Sequence, residues 1–399
     1  MKKKMDSRPV KISCSNIWKI YGPHEHLFFE EINKGGTTDG IGEHVRAVKD
    51  VSFEVFDGEL FVIMGLSGSG KSTLARCING LVRPTSGKVA VDGLDLSAMD
   101  DKQLIQVRRK KVSMVFQHFS LFPHKTVLEN VIFGLEVRGE MKRSCRERGL
   151  EMLNRVGLCG WEHSYPKELS GGMQQRVGLA RALAPDPEVL IMDEPFSALD
   201  PLIRRQMHEE FIRIMSTTKK AIVFITHDLN EGVKLGSRIA IMKDGEIKQV
   251  GTPEEIVCSP RDGYIESFVR DLNRENFIPV GKIMKKPEMI ISESQCIEEM
   301  LDSMREGEKK QAFLIDRGGR LLGRLDAEDL GTIPNKNGLQ LNRGRVKSAP
   351  KISPDQPIGS LIPLVAEYDC TIAVVDENDI LIGEVTRTQL LKTIQWNPN

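Results

Sequence analysis

A glycine-rich segment in the first quarter of the chain has the residue types and spacing of a phosphate-binding loop. It consists of Gly65, Leu66, Ser67, Gly68, Ser69, Gly70, Lys71, Ser72 and Thr73. Its glycines allow successive backbone N–H groups to converge on a phosphate, and the helix predicted from Lys71 adds its positive N-terminal end. Lys71 would contact the β- and γ-phosphates of a nucleotide, and the Ser72 hydroxyl would bind Mg²⁺. The alternative is a glycine-rich turn without a ligand, but an apolar strand before the segment and a helix after it favour nucleotide binding.

Two adjacent carboxylates follow a second buried strand. Val189 to Met192 is a continuous apolar run, and Asp193 and Glu194 come directly after it. In open α/β sheets, ligands bind at the C-terminal ends of the parallel strands. Asp193 would therefore hold Mg²⁺, directly or through water, and Glu194 would accept a proton from the attacking water. An acidic turn without a chemical role is the alternative, and the phosphate-binding loop elsewhere in the chain argues against it.

A third segment predicts a second anion-binding helix end. Its sequence is Leu169-Ser170-Gly171-Gly172-Met173-Gln174-Gln175-Arg176. Ser170 resembles a helix N-cap, and the two glycines leave backbone N–H groups bare at the start of a long helix. The first helix end already binds one side of a triphosphate. The second must therefore bind another phosphate, or the open side of a nucleotide held by a neighbouring chain.

The predicted elements place these segments in an α/β core. A helix is predicted from Pro201 to Met215, and strands are predicted at Val10 to Ile20, Val48 to Phe56, Leu60 to Met64, Lys111 to Phe116, Val189 to Met192, Ala221 to Ile225 and Ile239 to Met242. From Thr126 to Ala184 apolar residues recur three and four positions apart, which predicts a helical subdomain inserted into the core. Residues 23–46 are rich in glycine and in charged side chains. This composition predicts an inserted loop or a short helix.

The last third of the chain contains an internal repeat. Leu314-Ile315-Asp316 and Leu321-Leu322-Gly323 recur sixty positions later as Val374-Val375-Asp376 and Leu381-Ile382-Gly383. Each copy is predicted to form helix–strand–turn–strand–helix and is too small for a good core alone, so the copies should pack as a pair. The predicted domains are 1–262 with a helical subdomain at about 118–184, a helical linker at 263–276, and tandem repeats at 277–399 (about 277–335 and 345–396).

Composition excludes several classes of protein. Lys plus Arg and Asp plus Glu are equal at 56 each, so the net charge gives no indication of a nucleic-acid partner. The seven cysteines are scattered without a Cys-x-x-Cys pair, which argues against a disulfide framework or a zinc site and for a reducing cytosol. No apolar run reaches the ~18–20 residues that a membrane-spanning helix needs. Any membrane role should therefore come through a partner.

The order and spacing of the motifs resemble those of ATP-binding-cassette (ABC) ATPases over roughly residues 10–258. The resemblance rests on the phosphate-binding loop, Gln117, Leu169 to Arg176, Asp193-Glu194, Ser197-Ala198-Leu199-Asp200 and His227. It implies a RecA-like core with a helical subdomain and an antiparallel sheet, with ATP and Mg²⁺ as cofactors. It also implies two copies working head to tail, so that Ser170, Gly171, Gly172 and Gln174 of one copy face the phosphate-binding loop of the other.

The same resemblance assigns roles to four further residues. Gln117 would contact Mg²⁺ and water, His227 the γ-phosphate, and Asp200 would couple the two subunits. Tyr21 matches the aromatic residue that stacks on adenine, an interaction worth roughly 1–3 kcal/mol in comparable base stacking. A histidine satisfied at the end of a strand is the alternative for His227, and core packing is the alternative for Tyr21, because the insertion at 23–46 is longer than the usual pattern.

The repeats resemble a tandem pair of CBS modules, which often bind adenine nucleotides through a Gly-h-x-Thr-x-x-Asp pattern, where h is apolar. The first copy has Asp326 where the threonine is expected, and the second has Gln389 where the aspartate is expected. A carboxylate for the ribose hydroxyls is therefore left only at Asp329. This departure argues against ordinary AMP or ATP binding in the tail.

A further resemblance is to the ATPase subunit of glycine betaine/proline importers. It rests on the segment Glu59 to Gly70, on the insertion at 23–46 before it and on the C-terminal repeats, called the tail below. This resemblance implies the ATP-hydrolysing motor of an importer of compatible solutes, peripheral on the cytoplasmic face of the plasma (inner) membrane. It would contact permease subunits through the helical subdomain and a solute-binding protein indirectly. The alternatives are a soluble ABC ATPase acting on DNA or ribosomes, and an importer motor for a different small solute. The single cassette without sustained heptads favours a transporter.

For the tail, three functions follow from the sequence. The basic cluster Arg343, Arg345 and Lys347 could dock on anionic lipid and release at high ionic strength, because salt screens exposed charges. The repeat cleft could instead bind an anionic nucleotide second messenger. A plain dimerisation module, with the basic cluster as a solvated linker, is the third.

Overall fold

The computed structural model of the chain describes residues 8–35, 43–117, 120–216, 218, 220–270, 272–331, 346–368 and 370–394. The chain forms two compact units, divided between Leu272 and Asn273. Arg343 and Arg345 of the predicted basic cluster lie outside the described residues.

The first unit alternates strands and helices. In chain order its elements are β1 (Val10–Tyr21), α1 (Glu25–Asn33), β2 (Val45–Phe56), β3 (Leu60–Met64), α2 (Lys71–Ile78), β4 (Ser86–Val91), β5 (Leu94–Asp95), α3 (Asp101–Lys110), β6 (Val112–Val115), α4 (Val127–Arg138), α5 (Lys142–Arg155), α6 (Gly171–Leu183), β7 (Val189–Asp193), α7 (Pro201–Ser216), β8 (Ala221–Thr226), α8 (Leu229–Leu235), β9 (Arg238–Lys243), β10 (Glu246–Gly251), α9 (Pro253–Cys258) and α10 (Gly263–Val269).

Two sheets build this unit. An antiparallel sheet has the strand order β2-β1-β4-β5, and a mixed sheet has the order β10-β9-β3-β8-β7-β6. In the mixed sheet β9, β3, β8, β7 and β6 are parallel, and only β10 is antiparallel to its neighbour. The central strands β7 and β8 are buried along their whole length, as continuous apolar runs predict.

The main core encloses helix α2. Leu74, Ala75 and Ile78 on this helix pack with apolar residues of both sheets, including Ile12 of β1 and Val223 of β8. The helix that follows the phosphate-binding loop is therefore held on two sides by buried apolar contacts. Its N-terminus is held at the edge where β3, β7 and β8 end.

Helices α4, α5 and α6 contact one another and form the predicted helical insertion. Helix α4 begins with a capping box, in which Thr126 Oγ1 accepts from the Glu129 N–H at 3.3 Å and Glu129 Oε2 accepts from the Thr126 N–H at 2.7 Å. It ends at Gly139, which has a φ of 82°. Helix α1 occupies part of the predicted insertion at 23–46, and β2 begins earlier than predicted, at Val45.

Helix α10 is shorter than the sequence suggests. A helical linker is predicted at 263–276, whereas the α-helix α10 ends at Val269. The Leu272 N–H donates to Val269 O at 3.2 Å, which closes a tighter turn instead of continuing the α-helix. Helix α10 packs against α9 through a face that includes the buried Ile265 and Val269.

The second unit contains the same small sheet twice. Its elements are α11 (Val280–Ile283), β11 (Ile290–Ser292), α12 (Ile297–Glu306), β12 (Gln311–Ile315), β13 (Leu321–Asp326), α13 (Ala327–Gly331), β14 (Lys351–Ile352), α14 (Leu361–Glu367), β15 (Ile372–Val375), β16 (Leu381–Val385) and α15 (Arg387–Ile394). The strand orders β11-β12-β13 and β14-β15-β16 are equivalent, each with a parallel and then an antiparallel pairing.

The two repeats are joined through their hairpin turns. The Leu321 N–H donates to Asp379 O at 2.9 Å, and the Leu381 N–H donates to Gly319 O at 3.0 Å. Each repeat has its own apolar core, around Met300 and Leu314 in the first and around Ile358 and Val374 in the second. The predicted pairing of the repeats is thus made by backbone hydrogen bonds in both directions.

Among the helices that the structure describes, none combines the length and the apolar composition that crossing a membrane requires.

Candidate functional site: a nucleotide cleft at the phosphate-binding loop

The phosphate-binding loop joins the end of β3 to the start of α2. Lys71 Nζ donates to Gly65 O at 2.8 Å and to Leu66 O at 2.9 Å, so the lysine closes the loop on itself. Gly70 has a φ of 98°, and a Cβ at this position would lie 2.1 Å from Ala47 O, so only glycine fits here. Burial lowers the pKa of the Lys71 ammonium, although the nearby Glu194 and Asp193 partly oppose this effect. An ammonium group with so little access to water is well placed to bind phosphate oxygens.

A hydroxyl and a carboxylate meet beside this loop. Ser72 Oγ donates to Asp193 Oδ1 at 2.8 Å, which joins the first turn of α2 to the end of β7. Asp193 is 5% exposed, and burial raises the pKa of its carboxyl group. The described residues contain no cluster of three or more His, Cys, Asp or Glu side chains suited to a metal. Two hard oxygen ligands fit Mg²⁺, which commonly takes its other ligands from water and substrate phosphates.

Glu194 occupies a strained position at the centre of the site. Its φ of 47° lies in the left-handed region, which is unusual for a residue with a side chain. The Glu194 N–H donates to Ile225 O at 3.0 Å, which fixes this turn against the end of β8. Glu194 Oε2 lies 2.9 Å from His227 Nδ1, and Gln117 Nε2 donates to the same oxygen at 3.4 Å. The predicted residues Glu194, His227 and Gln117 are therefore brought together around one carboxylate.

Glu194 and Gln117, but not His227 or Asp193, line a cleft of about 560 Å³, whose walls also include Ser67, Gly68, Gly70, Lys71, Ser72 and Thr73. The sequence prediction missed five further wall residues: Val45, Arg46, Ala47, Lys49 and Asp244. Arg46 and Lys49 add cations that no motif indicated. Asp244 lies in the turn between β9 and β10. That turn reaches the loop, because the Gly245 N–H donates to Ser69 O at 3.2 Å.

Tyr21 does not line the cleft, but it lies next to it. It pairs with Val45 across strands β1 and β2, and Val45 is part of the cleft wall. The Tyr21 ring is 41% exposed and lies under Lys19 Nζ at 5.1 Å. Lys19 also pairs with Glu25 at 2.7 Å, so helix α1 is attached beside this aromatic residue.

The third predicted segment lies at the start of α6 and is not part of the cleft. Ser170 Oγ accepts from the Met173 N–H at 3.3 Å, as an N-cap does. Gln174 Nε2 donates to Pro166 O at 3.0 Å and to Leu169 O at 3.2 Å, so its amide holds the preceding turn. Of Ser170, Gly171, Gly172 and Gln174, none lines the cleft formed within one chain.

Asp200 caps helix α7. Its Oδ1 accepts from the Leu202 N–H at 3.1 Å and from the Ile203 N–H at 3.0 Å. A Cβ on Gly172 would lie 2.6 Å from Ile203 Cγ2, so the start of α6 is packed against the start of α7. The helix that follows Asp200 and the helix that follows Ser170 are therefore held together.

A buried polar network, which the sequence did not indicate, connects α7 with the residues around His227. Arg204 donates to Ser197 O at 3.3 Å and to Leu199 O at 3.1 Å, and its Nη1 lies 3.6 Å from Asp228 Oδ2. Glu231 accepts from Thr226 Oγ1 at 2.6 Å and lies 3.0 Å from His208 Nε2. The segment before Asp200 is thus joined to the segment after His227.

The second unit contains the residues of the modified CBS pattern. Gln389 Oε1 accepts from Thr386 Oγ1 at 2.8 Å, and its Nε2 donates to Ile283 O at 3.1 Å. In the first repeat Lys347 Nζ lies 2.6 Å from Asp329 Oδ2 and 2.7 Å from Asp326 Oδ2. The remaining carboxylate of the ribose pattern is therefore paired with a lysine of the chain itself.

The phosphate-binding loop on α2, the Ser72–Asp193 pair and the Glu194–His227 pair, at the ends of parallel strands, define a P-loop nucleoside triphosphatase. Comparisons with known proteins identify its class. The ABC transporter family model matches residues 48–197, and the CBS domain model matches residues 346–395. A dimeric post-hydrolysis structure of the ATP-binding cassette MJ0796, bound to ADP and Pi, is similar with a TM-score of 0.53 and 35% identity. That similarity covers 61% of this chain and 98% of the cassette.

Similar proteins of nearly the same length are known. The ATP-binding protein ProV of the glycine betaine/proline betaine transport system of Escherichia coli is 40% identical, over 96% of this chain and 98% of ProV. The glycine betaine transport ATP-binding protein OpuAA of Bacillus subtilis is 42% identical, over 98% of this chain and 94% of OpuAA. The chain belongs to the ABC transporter family, as one of its ATP-binding proteins with a C-terminal CBS domain. The predicted family, fold class and ATPase activity are confirmed.

Proposed function

We propose that the chain is the ATP-hydrolysing subunit of an importer of glycine betaine and related compatible solutes. The observation that carries the proposal is the convergence of His227 and Gln117 on the carboxylate of Glu194, which lines the same cleft as the phosphate-binding loop. The solute comes from the relatives, whose names include glycine betaine, proline betaine and carnitine transport. All three of these solutes carry a methylated ammonium group and a carboxylate.

The residues in and beside the cleft have distinct roles in this proposal. The loop N–H groups and Lys71 bind the phosphates of ATP. Ser72, Asp193 and Gln117 would hold Mg²⁺, which would supply charge compensation at the phosphates. Glu194 accepts the proton of the attacking water. His227 orients that carboxylate through the 2.9 Å contact and faces the terminal phosphate. Tyr21 stacks on the adenine beside Val45.

The working unit in this proposal is a head-to-tail dimer. Ser170, Gly171, Gly172 and Gln174 lie outside the cleft of their own chain, as expected if they complete the cleft of a second copy. The Ser170-capped N-terminus of α6 provides free N–H groups for a phosphate. Asp200 and the Arg204 contacts then connect this dimer surface to His227. The dimeric structures of the similar cassette support this arrangement.

We infer that the permease docks in a second groove of the first unit. The groove has a volume of about 360 Å³ and lies between α3, β6 and the helices α4 and α6 of the helical insertion. Ile105 and Val137 in its wall are 40% and 39% exposed, and Phe133 adds an aromatic surface. Because the core and the insertion form the groove together, the shape of the groove changes when one moves relative to the other. The chain would thereby be peripheral, on the cytoplasmic face of the membrane.

The test is reconstitution of the chain with its permease and solute-binding protein in vesicles. We expect ATP-driven uptake of radiolabelled glycine betaine that is lost with Lys71→Ala and retained with Lys351→Gln, a control in the second unit. ATP hydrolysis that does not depend on the permease, with the chain found away from membranes, would indicate the alternative soluble ATPase. ATP-driven uptake of an unrelated solute in place of glycine betaine would overturn the solute assignment alone.

A further inference from the structure

The second unit contains a cleft that the proposed ATPase mechanism does not use. It has a volume of about 350 Å³ and lies between the two repeats, with walls from β12 and β13 of the first repeat and β16 of the second. A cleft of this size is suited to a small molecule. Its wall combines the apolar side chains of Met289 and Phe313 with charged groups of both signs.

The two repeats present opposite charges to this cleft at equivalent positions. Arg324 and Glu384 are sixty positions apart, the spacing of the repeat, and both line the cleft. The strand registers agree, because Arg324 pairs with Phe313 and Glu384 pairs with Ala373, which are also sixty positions apart. The internal duplication therefore places a cation and an anion across one cavity.

These two charges do not neutralise each other, since no ion pair within 4.0 Å joins them among the described residues. Arg324 Nε lies 3.7 Å from Asp326 Oδ1, and both of these buried atoms lack a hydrogen bond. Glu384 is 5% exposed, accepts from the backbone N–H of Glu288, and has its pKa raised by burial. Glu384, which is buried, and Arg324, whose side chain is 18% exposed, would each gain free energy from an oppositely charged ligand group.

The other charged groups of the cleft wall do not alter this arrangement, with a cation at Arg324 and an anion at Glu384. Lys309 is paired with Glu288, and Lys310 is exposed to solvent. A purely anionic ligand would be attracted by Arg324 but repelled by Glu384, and a purely cationic ligand would meet the reverse. The nucleotide alternative also loses its ribose partners, because Asp329 is paired with Lys347 and Gln389 with Thr386.

We propose that this cleft binds a small zwitterion, with the anionic end on Arg324 and the cationic end on Glu384. The apolar wall with Phe313 suits the methyl groups of a quaternary ammonium. The choice of glycine betaine as the ligand rests on the proposed function, whereas the zwitterionic class rests on the cleft. The tail would then respond to the amount of solute that the transporter has accumulated.

The experiment is equilibrium binding of radiolabelled glycine betaine to the purified full-length chain, without permease or ATP. We expect saturable binding that weakens about tenfold to a hundredfold in Arg324→Gln and in Glu384→Gln. Lys351→Gln, whose lysine pairs with Asp379 outside the cleft, is the matched control and should bind like the wild type. Unfolding curves of all variants would show whether the second unit is intact.

Two analogues assign the two ends of the ligand. Choline lacks the carboxylate, so its binding should be weaker than that of glycine betaine and should not be weakened further by Arg324→Gln. The neutral-carbon analogue 3,3-dimethylbutyrate lacks the cation, so its binding should not be weakened by Glu384→Gln. AMP is the anionic probe. If AMP binds and Glu384→Gln strengthens it while glycine betaine does not bind, the cleft is an anion site and the proposal is wrong.

Absence of glycine betaine binding, or binding that both glutamine variants retain, would also overturn the proposal. Either result leaves the transport test untouched, because uptake is measured in the reconstituted complex and binding in the isolated chain. Conversely, a transporter that fails to move glycine betaine would overturn the proposed function while a zwitterion could still bind in the cleft.

Discussion

Glu194 Oε2 lies 2.9 Å from His227 Nδ1, although the two residues follow different strands, β7 and β8. The strands are adjacent and parallel, with Asp193 opposite Ile225, so their C-terminal ends bring the carboxylate and the imidazole together. Glu194 of this pair lines the same cleft as the phosphate-binding loop. The residue proposed to accept the proton and the histidine proposed to contact the terminal phosphate are thus in direct contact, so a change at either affects the other.

Replacement of the carboxylate tests its assignment as the base. Glu194→Gln should lower the steady-state rate of ATP hydrolysis by about 10²–10⁴-fold, because the amide keeps the shape but cannot accept a proton. ATP binding should persist, and the variant should accumulate as an ATP-bound dimer. Hydrolysis is measured by phosphate release and dimerisation by size-exclusion chromatography. Glu246→Gln, on an exposed ion pair with Lys248, is the control; hydrolysis by Glu194→Gln at the wild-type rate would exclude this base.

A mixture of two inactive variants tests the composite site. Ser170→Arg places a bulky cation at the start of α6, and Lys71→Ala removes the phosphate-binding lysine. In a head-to-tail heterodimer one cleft carries both changes and the other carries neither. We expect each variant alone to be inactive and the mixture to recover part of the phosphate-release activity. If all motifs act within one chain, mixing will rescue nothing.

A charged side chain in the second groove should block permease docking. Ile105→Asp replaces an exposed apolar side chain of the groove by a carboxylate, which would have to lose water if the permease covered it. The variant should lose co-purification with the permease while the isolated chain keeps its ATPase activity. Leu94→Asp is matched to it, because Leu94 is 38% exposed and Ile105 is 40% exposed. Retention of the permease by Ile105→Asp would place the docking surface elsewhere.

An ion-pair cluster on the first unit predicts a pH-dependent contribution to stability. Hydrogen bonds from Lys11 and Lys111 lower the pKa of Asp92 to about 2. A lowered carboxyl pKa stabilises the folded state above the unfolded pKa of ~3.9, and this stabilisation is lost as the pH falls towards about 2. Asp92→Asn keeps the backbone, because asparagine tolerates the φ of 49° at this position.

For this variant we expect the free energy of unfolding in urea to fall by about 1 kcal/mol at pH 7, the value for partly exposed pairs. At pH 2 the difference should be close to zero. Asp101→Asn is the comparison, since Asp101 is 87% exposed in its pair with Arg83 and should change stability little at either pH. An equal loss at both pH values would mean that the aspartate acts through something other than its charge.

The tail can be tested for a response to ionic strength. Deleting residues 273–399, the second unit, should leave ATP-driven transport intact and remove its dependence on salt in anionic vesicles. Neutralising Arg343, Arg345 and Lys347 separately tests docking on anionic lipid. Lys347 is already paired with Asp326 and Asp329, so we expect its replacement to contribute least. A full salt response in the truncated transporter would show that the sensor lies elsewhere.

The parts of the fold that the sequence predicted correctly are each marked by a local sequence pattern. The loop before α2, the buried strand β7 and the helical insertion are each marked by spacing or by an apolar run. The sixty-residue repeat was also visible, but the short strands β11 and β14 were not, because two or three residues cannot show a period. Their pairing depends on the neighbouring strand rather than on their own sequence.

The parts of the cleft that were missed come from distant pairing. Arg46 and Lys49 reach the cleft because β2 runs beside the loop, and Asp244 reaches it through a tertiary hydrogen bond at Gly245. The Arg204 network likewise depends on side-chain contacts between α7 and α8, which are distant in the sequence. The opposite charges of Arg324 and Glu384 were present in the repeat, but only the structure shows that both face one cavity.

The left-handed backbone at Glu194 lowers the stability of the fold, whereas the proposed mechanism requires a carboxylate at this position. Such a conformation costs a side-chain-bearing residue on the order of 1–3 kcal/mol, and glycine escapes most of that cost. A laboratory search for heat-resistant forms of this protein is therefore expected to select glycine at position 194. On the role proposed for Glu194, the variants that gain stability in this way would lose ATP hydrolysis, so stability and activity would be selected in opposite directions at one residue.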